Sequence, residues 1–211
     1  MIRRTVWGIG SARAFRVHWA LHELGLEYRT EPIRTRTPAM ETEPFRTISP
    51  RGKIPVFQED DLTLFESGAI VTYLGRTYGT PDCALLPTGP AERARCDEWC
   101  YFVAMELDAT SLYVIRRHGD LPEIYGEAPV AVDCAAEYFA RQVAVPEQAI
   151  SDGRKFLLGE TFSAADIMLT SCLTWAIRYH QPVPETLLAY RERTIGRDAY
   201  KAAFAVCYPD T

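Results

Sequence analysis

The hydrophobic pattern of this chain changes once, across Gly79–Pro90, and that change divides it into two unlike parts. Before Gly79, short alternating runs exchange with runs of helical spacing; beyond Pro90 the spacing is helical throughout. The segment between holds Pro81, Pro87, Gly89 and Pro90, the composition of a linker. With 211 residues, 47% hydrophobic and 24% charged, the chain has room for two small domains. The sequence predicts an α/β domain over residues 1–80 followed by an all-α domain over residues 90–211.

In the first part, Thr5–Trp7 reads as a short strand ending in the turn Gly8-Ile-Gly10. Ala12–Leu24 carries Val17, Ala20, Leu21 and Leu24 at helical spacing and stops at Gly25. Glu27–Ile33 alternates again, so the chain opens β-α-β, which implies a parallel pair. Arg34–Ser49 reads as loop with at most one short helix near Pro44–Ile48. Val56–Glu59 and Leu62–Phe65 form a predicted hairpin through Asp60-Asp61, and Ser67–Tyr78 a helix. In the second part a long helix runs over Pro90–Arg117, with Trp99, Phe102, Val103, Leu107 and Val114 on one face. Helices follow over Pro129–Val145 and after Pro146. Ser163 and Asp166 make a capping box for another, which reaches about Tyr179. Glu185–Arg193 and a tail, Arg197–Ala205, complete the helical part.

Composition removes several functions. The net charge is −5 and no basic stripe is present, which speaks against a nucleic-acid partner. No apolar run approaches the roughly 18 residues of a membrane helix, and Met1–Val6 leads into a strand instead of a signal sequence. The six cysteines are scattered without a CxxC, a pattern of reduced thiols in the cytoplasm. There is no Asn, hence no glycosylation acceptor.

The functional signal lies in Pro50-Arg-Gly-Lys-Ile-Pro55 and in Glu66-Ser67. Pro55 opens a strand without a backbone donor, leaving unpaired backbone beside it. Lys53, one of only three lysines, supplies a loop cation. Ser67 begins a helix whose free amides favour an anion. Together these suit a small zwitterionic peptide with carboxylates at both ends.

The chain resembles the soluble glutathione transferases, in particular bacterial, theta-like or related serine-type members. The resemblance runs through Arg13–Tyr28, Gly52-Lys-Ile-Pro55, Leu64-Phe-Glu66-Ser67-Gly-Ala-Ile70, Tyr73-Leu74, Phe156-Leu-Leu-Gly159 and Phe162–Ile167, in that order and spacing. It implies a thioredoxin-like N-terminal domain that binds glutathione and a helical-bundle C-terminal domain. The latter would form the acceptor site and part of a homodimer interface. It also implies a cis Ile54-Pro55 bond. Glutathione would be the co-substrate, a small hydrophobic electrophile the acceptor, and no metal would take part. The cysteinyl unit would pair with the backbone of Ile54 ahead of Pro55, as an added strand does. Ser67 would take the γ-glutamyl carboxylate, Glu66 would help hold the γ-glutamyl end, and Lys53 would lie near the glycyl carboxylate.

Conjugation needs a thiolate, and a free thiol of pKa near 8.5 is only about 3% ionised at neutral pH. Ser11, the hydroxyl in the loop after the first strand, is the candidate catalytic residue; it is also readable as the N-cap of the next helix, and one residue can do both. The Arg34–Ser49 stretch offers Met40, with Arg34 and Arg36 nearby, where some relatives carry a histidine. A glutathione-dependent isomerase, lyase or peroxidase, or a non-catalytic binding subunit, would share the fold. Other features have plainer readings. His18 and His22 read as surface or interface residues and Cys96 and Cys100 as buried apolar groups. Arg116-Arg117-His118 reads as a helix end, and Glu106 as an interface or cleft-wall charge. The acceptor site is expected between the domains, lined by Ile9, Ser11 and the Trp99–Tyr113 face.

Overall fold

The computed structural model describes residues 3–81 and 83–210. Met1 and Ile2 of the predicted strand approach, Asp82 of the linker and Thr211 lie outside the described residues. The chain divides into two units, one of residues 1–86 with 196–211 and the other of residues 87–195.

The first unit is built on a four-stranded sheet of order β2-β1-β3-β4, with β1 Arg4–Trp7, β2 Arg29–Glu31, β3 Val56–Glu59 and β4 Leu62–Leu64. β1 and β2 are parallel, Val6 opposite Thr30, as a β-α-β crossover requires. β3 runs antiparallel to β1, Val6 opposite Phe57, and makes a tight hairpin with β4 in which Asp60 takes a positive φ. Helix α1 (Ala12–Glu23) lies between β1 and β2, α2 (Glu43–Ile48) between β2 and β3, and α3 (Ser67–Tyr78) follows β4. A one-turn 3₁₀ segment, Pro38–Glu41, precedes α2. The sheet is tied to α3 through Glu59, a buried carboxylate that accepts from Arg4 at 2.7 Å and from the hydroxyls of Tyr73 and Tyr78 at 2.5 Å each.

Helix α1 is buried on more than one face, from Ala14 through Leu21, because α3 packs on it and so does the C-terminal helix, Asp198–Cys207. The tail predicted as part of the second domain therefore belongs to the first unit. Two interactions hold it there. Tyr200 meets Phe15 and Trp19 edge-on, both at 4.9 Å between ring centroids. Arg197 grips Glu23 with two bonds of 2.6 Å each, a fork geometry with little freedom to misalign. Each large aromatic buried this way contributes on the order of 1.5–3 kcal/mol, which outweighs the modest propensity of a ten-residue helix to form alone. The surface reading of His18 and His22 is corrected too: His18 is fully buried and His22 half-buried, both against Tyr28.

In the second unit, α4 spans residues 90–120 and its buried stripe is Cys96, Cys100, Val103, Leu107, Leu112 and Ile115. Trp99, Phe102 and Val114, expected on that stripe, are half-buried. From Val103 to Leu112 the helix is wound as a π-helix, and Ser111 donates its hydroxyl proton to the carbonyl of Glu106, five residues back, at 2.6 Å. The carboxylate of Glu106 accepts from the Tyr138 hydroxyl, which accounts for a charge at that position without a ligand. α5 is a single helix, Pro129–Ala149; Pro146 sits inside its last turn instead of separating two helices. α6 (Ala164–Arg178) begins at the predicted capping box. The Ser163 amide and hydroxyl donate to Asp166 at 2.8 and 2.7 Å. Asp166 also accepts from the Leu157 amide and from the Tyr190 hydroxyl on α7 (Glu185–Ile195), so one buried carboxylate joins loop, cap and neighbouring helix.

Candidate active site

Ile54-Pro55 is a cis peptide bond. Ile54 lies just ahead of β3, an interior strand of the sheet and not an edge strand. Among the described residues its backbone N–H and C=O have no hydrogen-bond partner. Its side chain is buried in an apolar cluster with Phe45 and Val56, against which Trp7, Ile33, Met40, Ile48 and Phe65 pack. Met40 is thus a packing residue. On the other side Gly8, at φ +127°, approaches so closely that a Cβ there would stand 2.7 Å from that of Ile54. Only glycine fits both the conformation and the gap.

The loop before Ile54 is braced by Ser49, which the sequence reading missed. Its buried hydroxyl accepts from the Lys53 amide at 3.2 Å and donates to the Lys53 carbonyl at 2.9 Å. Gly52 takes φ +57° in the same turn. Lys53 itself is exposed.

Across the loop stands the start of α3. Glu66 is its N-cap residue at φ +65°, a region costly for any side chain, and such outliers gather at binding sites. Its exposed carboxylate pairs with Arg51 at 3.0 Å, and Arg51 stacks on Phe65. An exposed pair of this kind is worth no more than about 1 kcal/mol, so an incoming amine can displace it. Ser67 occupies the first helical turn, and the side chain of the N-cap residue Glu66 makes no capping bond. The Ser67 hydroxyl accepts from the guanidinium of Arg16 on α1 at 3.2 Å. Arg16 is fully buried. With a donor behind its oxygen, Ser67 has its proton available for an acceptor in front, beside the free amides of α3. Sequence reasoning did not single out Arg16; the available signal was a charge inside the apolar run of α1.

Ser11 is the N-cap of α1, its Oγ accepting from the Ala14 amide at 3.1 Å. Capping uses a lone pair only; among the described residues the hydroxyl proton has no acceptor. The loop that carries it is pinned at each residue. Gly8 and Ile9 donate to the carbonyls of Glu31 and Ile33, and Gly10 to that of Cys207 on the C-terminal helix, at 2.8–2.9 Å. His18 contacts the Gly8 carbonyl through Nε2 and the Tyr28 hydroxyl through Nδ1, each at 2.9 Å. Burial lowers its pKa to about 4, against a smaller opposing effect of the Gly8 bond, so it is neutral here. The Cys207 thiol is pushed up to about 11, chiefly by burial, and remains a neutral packing group beside the Ser11 loop. Arg34 pairs with Asp210 at 2.5 Å.

A sheet of this order, a cis proline leading into β3 and an anion-ready start of α3 together define a thioredoxin-like unit, here in a chain that continues into a helical one. The model of the glutathione S-transferase N-terminal domain matches residues 3–76, and that of the C-terminal domain matches residues 105–204. A glutathione S-transferase of Arabidopsis thaliana, F13, is 31% identical over 160 residues, 74% of this chain and 72% of its own. The crystal structure of a glutathione transferase from Methylococcus capsulatus superposes with a TM-score of 0.82 at 25% identity, covering 96% of this chain and 98% of its own. A glutathione transferase from Pseudomonas putida, solved with one glutathione disulfide per subunit, superposes with a TM-score of 0.82 at 22% identity, covering 97% and 91%. The chain belongs to the glutathione S-transferase family. No helix among the described residues is long and apolar enough to cross a membrane.

Proposed function

We propose that this protein is a serine-type glutathione transferase, joining the sulfur of glutathione to a small hydrophobic electrophile. The thiolate attacks the electrophile, the new bond is carbon–sulfur, and the acceptor's leaving group departs with its electron pair or the acceptor's double bond takes it up. The cysteinyl unit pairs with the free backbone groups of Ile54. The γ-glutamyl carboxylate receives the Ser67 proton at the start of α3, Glu66 receives the amino group, and Lys53 faces the glycyl carboxylate. Ser11 donates to the thiolate while still capping α1. The protein works as a cytoplasmic homodimer in detoxification, a reading in keeping with its six free cysteines and its family.

The observation that carries this reading is the Arg16–Ser67 contact at the start of α3. It leaves a serine proton and free helix amides for a carboxylate, opposite backbone left unpaired at Ile54. Calorimetric titration with glutathione tests it. Wild type binds, and Ser67→Ala loses about 1.5–3 kcal/mol, the worth of a hydrogen bond to a charged group. The dipeptide Cys-Gly, which lacks the γ-glutamyl unit, should bind both proteins equally weakly. A folded, dimeric wild type that ignores millimolar glutathione sinks the proposal.

A further inference from the structure

Arg51 lies in the loop that leads to Ile54, and Glu66 lies at the start of α3. The backbone around Arg51 is fixed. Gly52 donates to the Ser49 carbonyl at 2.9 Å, and the Ser49 hydroxyl bonds both the amide and the carbonyl of Lys53. Glu66 is fixed as well, its carbonyl accepting from the Ile70 amide at 2.9 Å. Between these anchored positions the two side chains meet at one point, Nη1 of Arg51 donating to Oε1 of Glu66 at 3.0 Å. Among the described residues neither group has another hydrogen-bond or ion-pair partner, and both side chains are exposed. The guanidinium also lies 5.2 Å from the centroid of the Phe65 ring, and Phe65 packs on the cluster that buries Ile54. Arg51 is thereby tied to the Ile54 side of the site as well as to Glu66.

A single contact engages one donor of the guanidinium and one oxygen of the carboxylate. The remaining donors and the second oxygen are left for partners from solvent. A ligand that brings only an ammonium satisfies Glu66 but competes with Arg51. One that brings only a carboxylate satisfies Arg51 but is repelled by Glu66. A ligand with both groups on one carbon satisfies the two residues at once, and the four charges then alternate in sign around a closed ring. The Phe65 face favours this by holding the plane of the guanidinium, whose edge is a fork for a carboxylate. A γ-linked glutamyl residue carries its free amine and free carboxylate on one carbon. An α-linked one does not, because its α-carboxyl is spent in the peptide bond.

We propose that Arg51 is a specificity-determining residue of the glutathione site. Together with Glu66 it recognises an amine and a carboxylate borne on the same carbon, and so selects γ-linked glutamyl peptides over α-linked ones. This rests on the glutathione-binding half of the transferase reading and not on conjugation. Ser67 and the amides of α3 suit a carboxylate whatever stands beside it. The Arg51–Glu66 pair adds the requirement that an ammonium be its neighbour.

The test compares glutathione with its isomer α-Glu-Cys-Gly, which has the same atoms and the same net charge but carries the amine and the glutamyl carboxylate on different carbons. Calorimetry measures the tighter complexes and ligand-detected NMR the millimolar ones. Wild type should prefer glutathione. Arg51→Gln should weaken glutathione binding by about fivefold, the ceiling for an exposed ion pair, and the loss should shrink as salt rises. Affinity for the isomer should not change, so the preference for glutathione falls by the same factor. Arg51→Lys, which keeps the charge without the planar fork, should fall between. Glutathione bound by Arg51→Gln as tightly as by wild type overturns the proposal. Tighter binding overturns it too, and would make Arg51 a competitor of the ligand's amine. An equal loss for both peptides also overturns it, since Arg51 would then act only through its charge or its support of the loop. Should Arg51→Gln fail to fold, Arg51→Lys decides by the same comparison of isomers. A wild type that does not bind glutathione defeats this proposal and the glutathione reading together, whereas glutathione binding indifferent to Arg51 defeats this proposal alone. Selection through Arg51 without conjugation of any acceptor would keep the proposal and defeat the transferase reading.

Discussion

Ser11 has two possible duties, and they can be measured separately because they use different atoms. Capping uses an oxygen lone pair, toward the Ala14 amide at 3.1 Å. Stabilising a thiolate uses the hydroxyl proton. Ser11→Ala removes both. Loss of the cap is worth about 1 kcal/mol of folding stability. Loss of a hydrogen bond to a charged sulfur is worth about 1.5–3 kcal/mol. At 1.36 kcal/mol per pKa unit, the thiol of bound glutathione should then rise by about one to two units. Ser11→Asp restores an acceptor for Ala14 but has no proton to give, so it should recover the stability and leave the thiol pKa high. Ser11→Thr keeps both functions. The stability term is read by urea unfolding and the thiol term by ultraviolet titration of the thiolate in the binary complex. At neutral pH the Ala variant should conjugate about tenfold or more slowly, and the gap should close as pH rises past the new thiol pKa. If Ser11→Ala loses stability while the bound thiol titrates unchanged, Ser11 is a helix cap and nothing more.

Two further predictions concern the supports of the Ser11 loop. Folded His18 titrates near 4, well below the ordinary 6.5, so between those values the unfolded chain takes up a proton that the native protein does not. Stability contributed by neutral His18 is therefore complete above about pH 6.5 and lost progressively down to about pH 4, by roughly 3 kcal/mol in all. Urea unfolding of wild type and His18→Gln across that range checks it; a variant with the same pH slope as wild type would refute it. Gly8→Ala sets a Cβ against that of Ile54 at 2.7 Å in a φ +127° conformation. It should cost at least about 1–3 kcal/mol of stability and weaken glutathione binding, whereas an alanine at Gly25, with open space around it, should keep full glutathione affinity.

What was legible in the sequence was what the chain decides locally. Ser163 and Asp166 lie three residues apart, so their reciprocal capping could be read directly, as could the hairpin at Asp60-Asp61 and the start of α3 at Ser67. The missed features are those whose partners lie far along the chain. Arg16 reaches Ser67 across 51 residues, and Arg197 reaches Glu23 across 174. Periodicity places α1 on a core with one face, and on that basis His18 looks exposed; it is buried against the Gly8 carbonyl and Tyr28, while a helix from the other end of the chain covers Phe15 and Trp19. That cover bears on function. The Gly10 amide donates to the carbonyl of Cys207, so the loop presenting Ser11 is held in part by residues near position 207. The residues proposed to bind glutathione at Ser49–Ser67 depend instead on α1, α3 and the sheet. Damage to the C-terminal helix should consequently fall first on thiolate formation and only later on glutathione affinity, a separation that follows from which strand ends, helices and loops hold each residue in place.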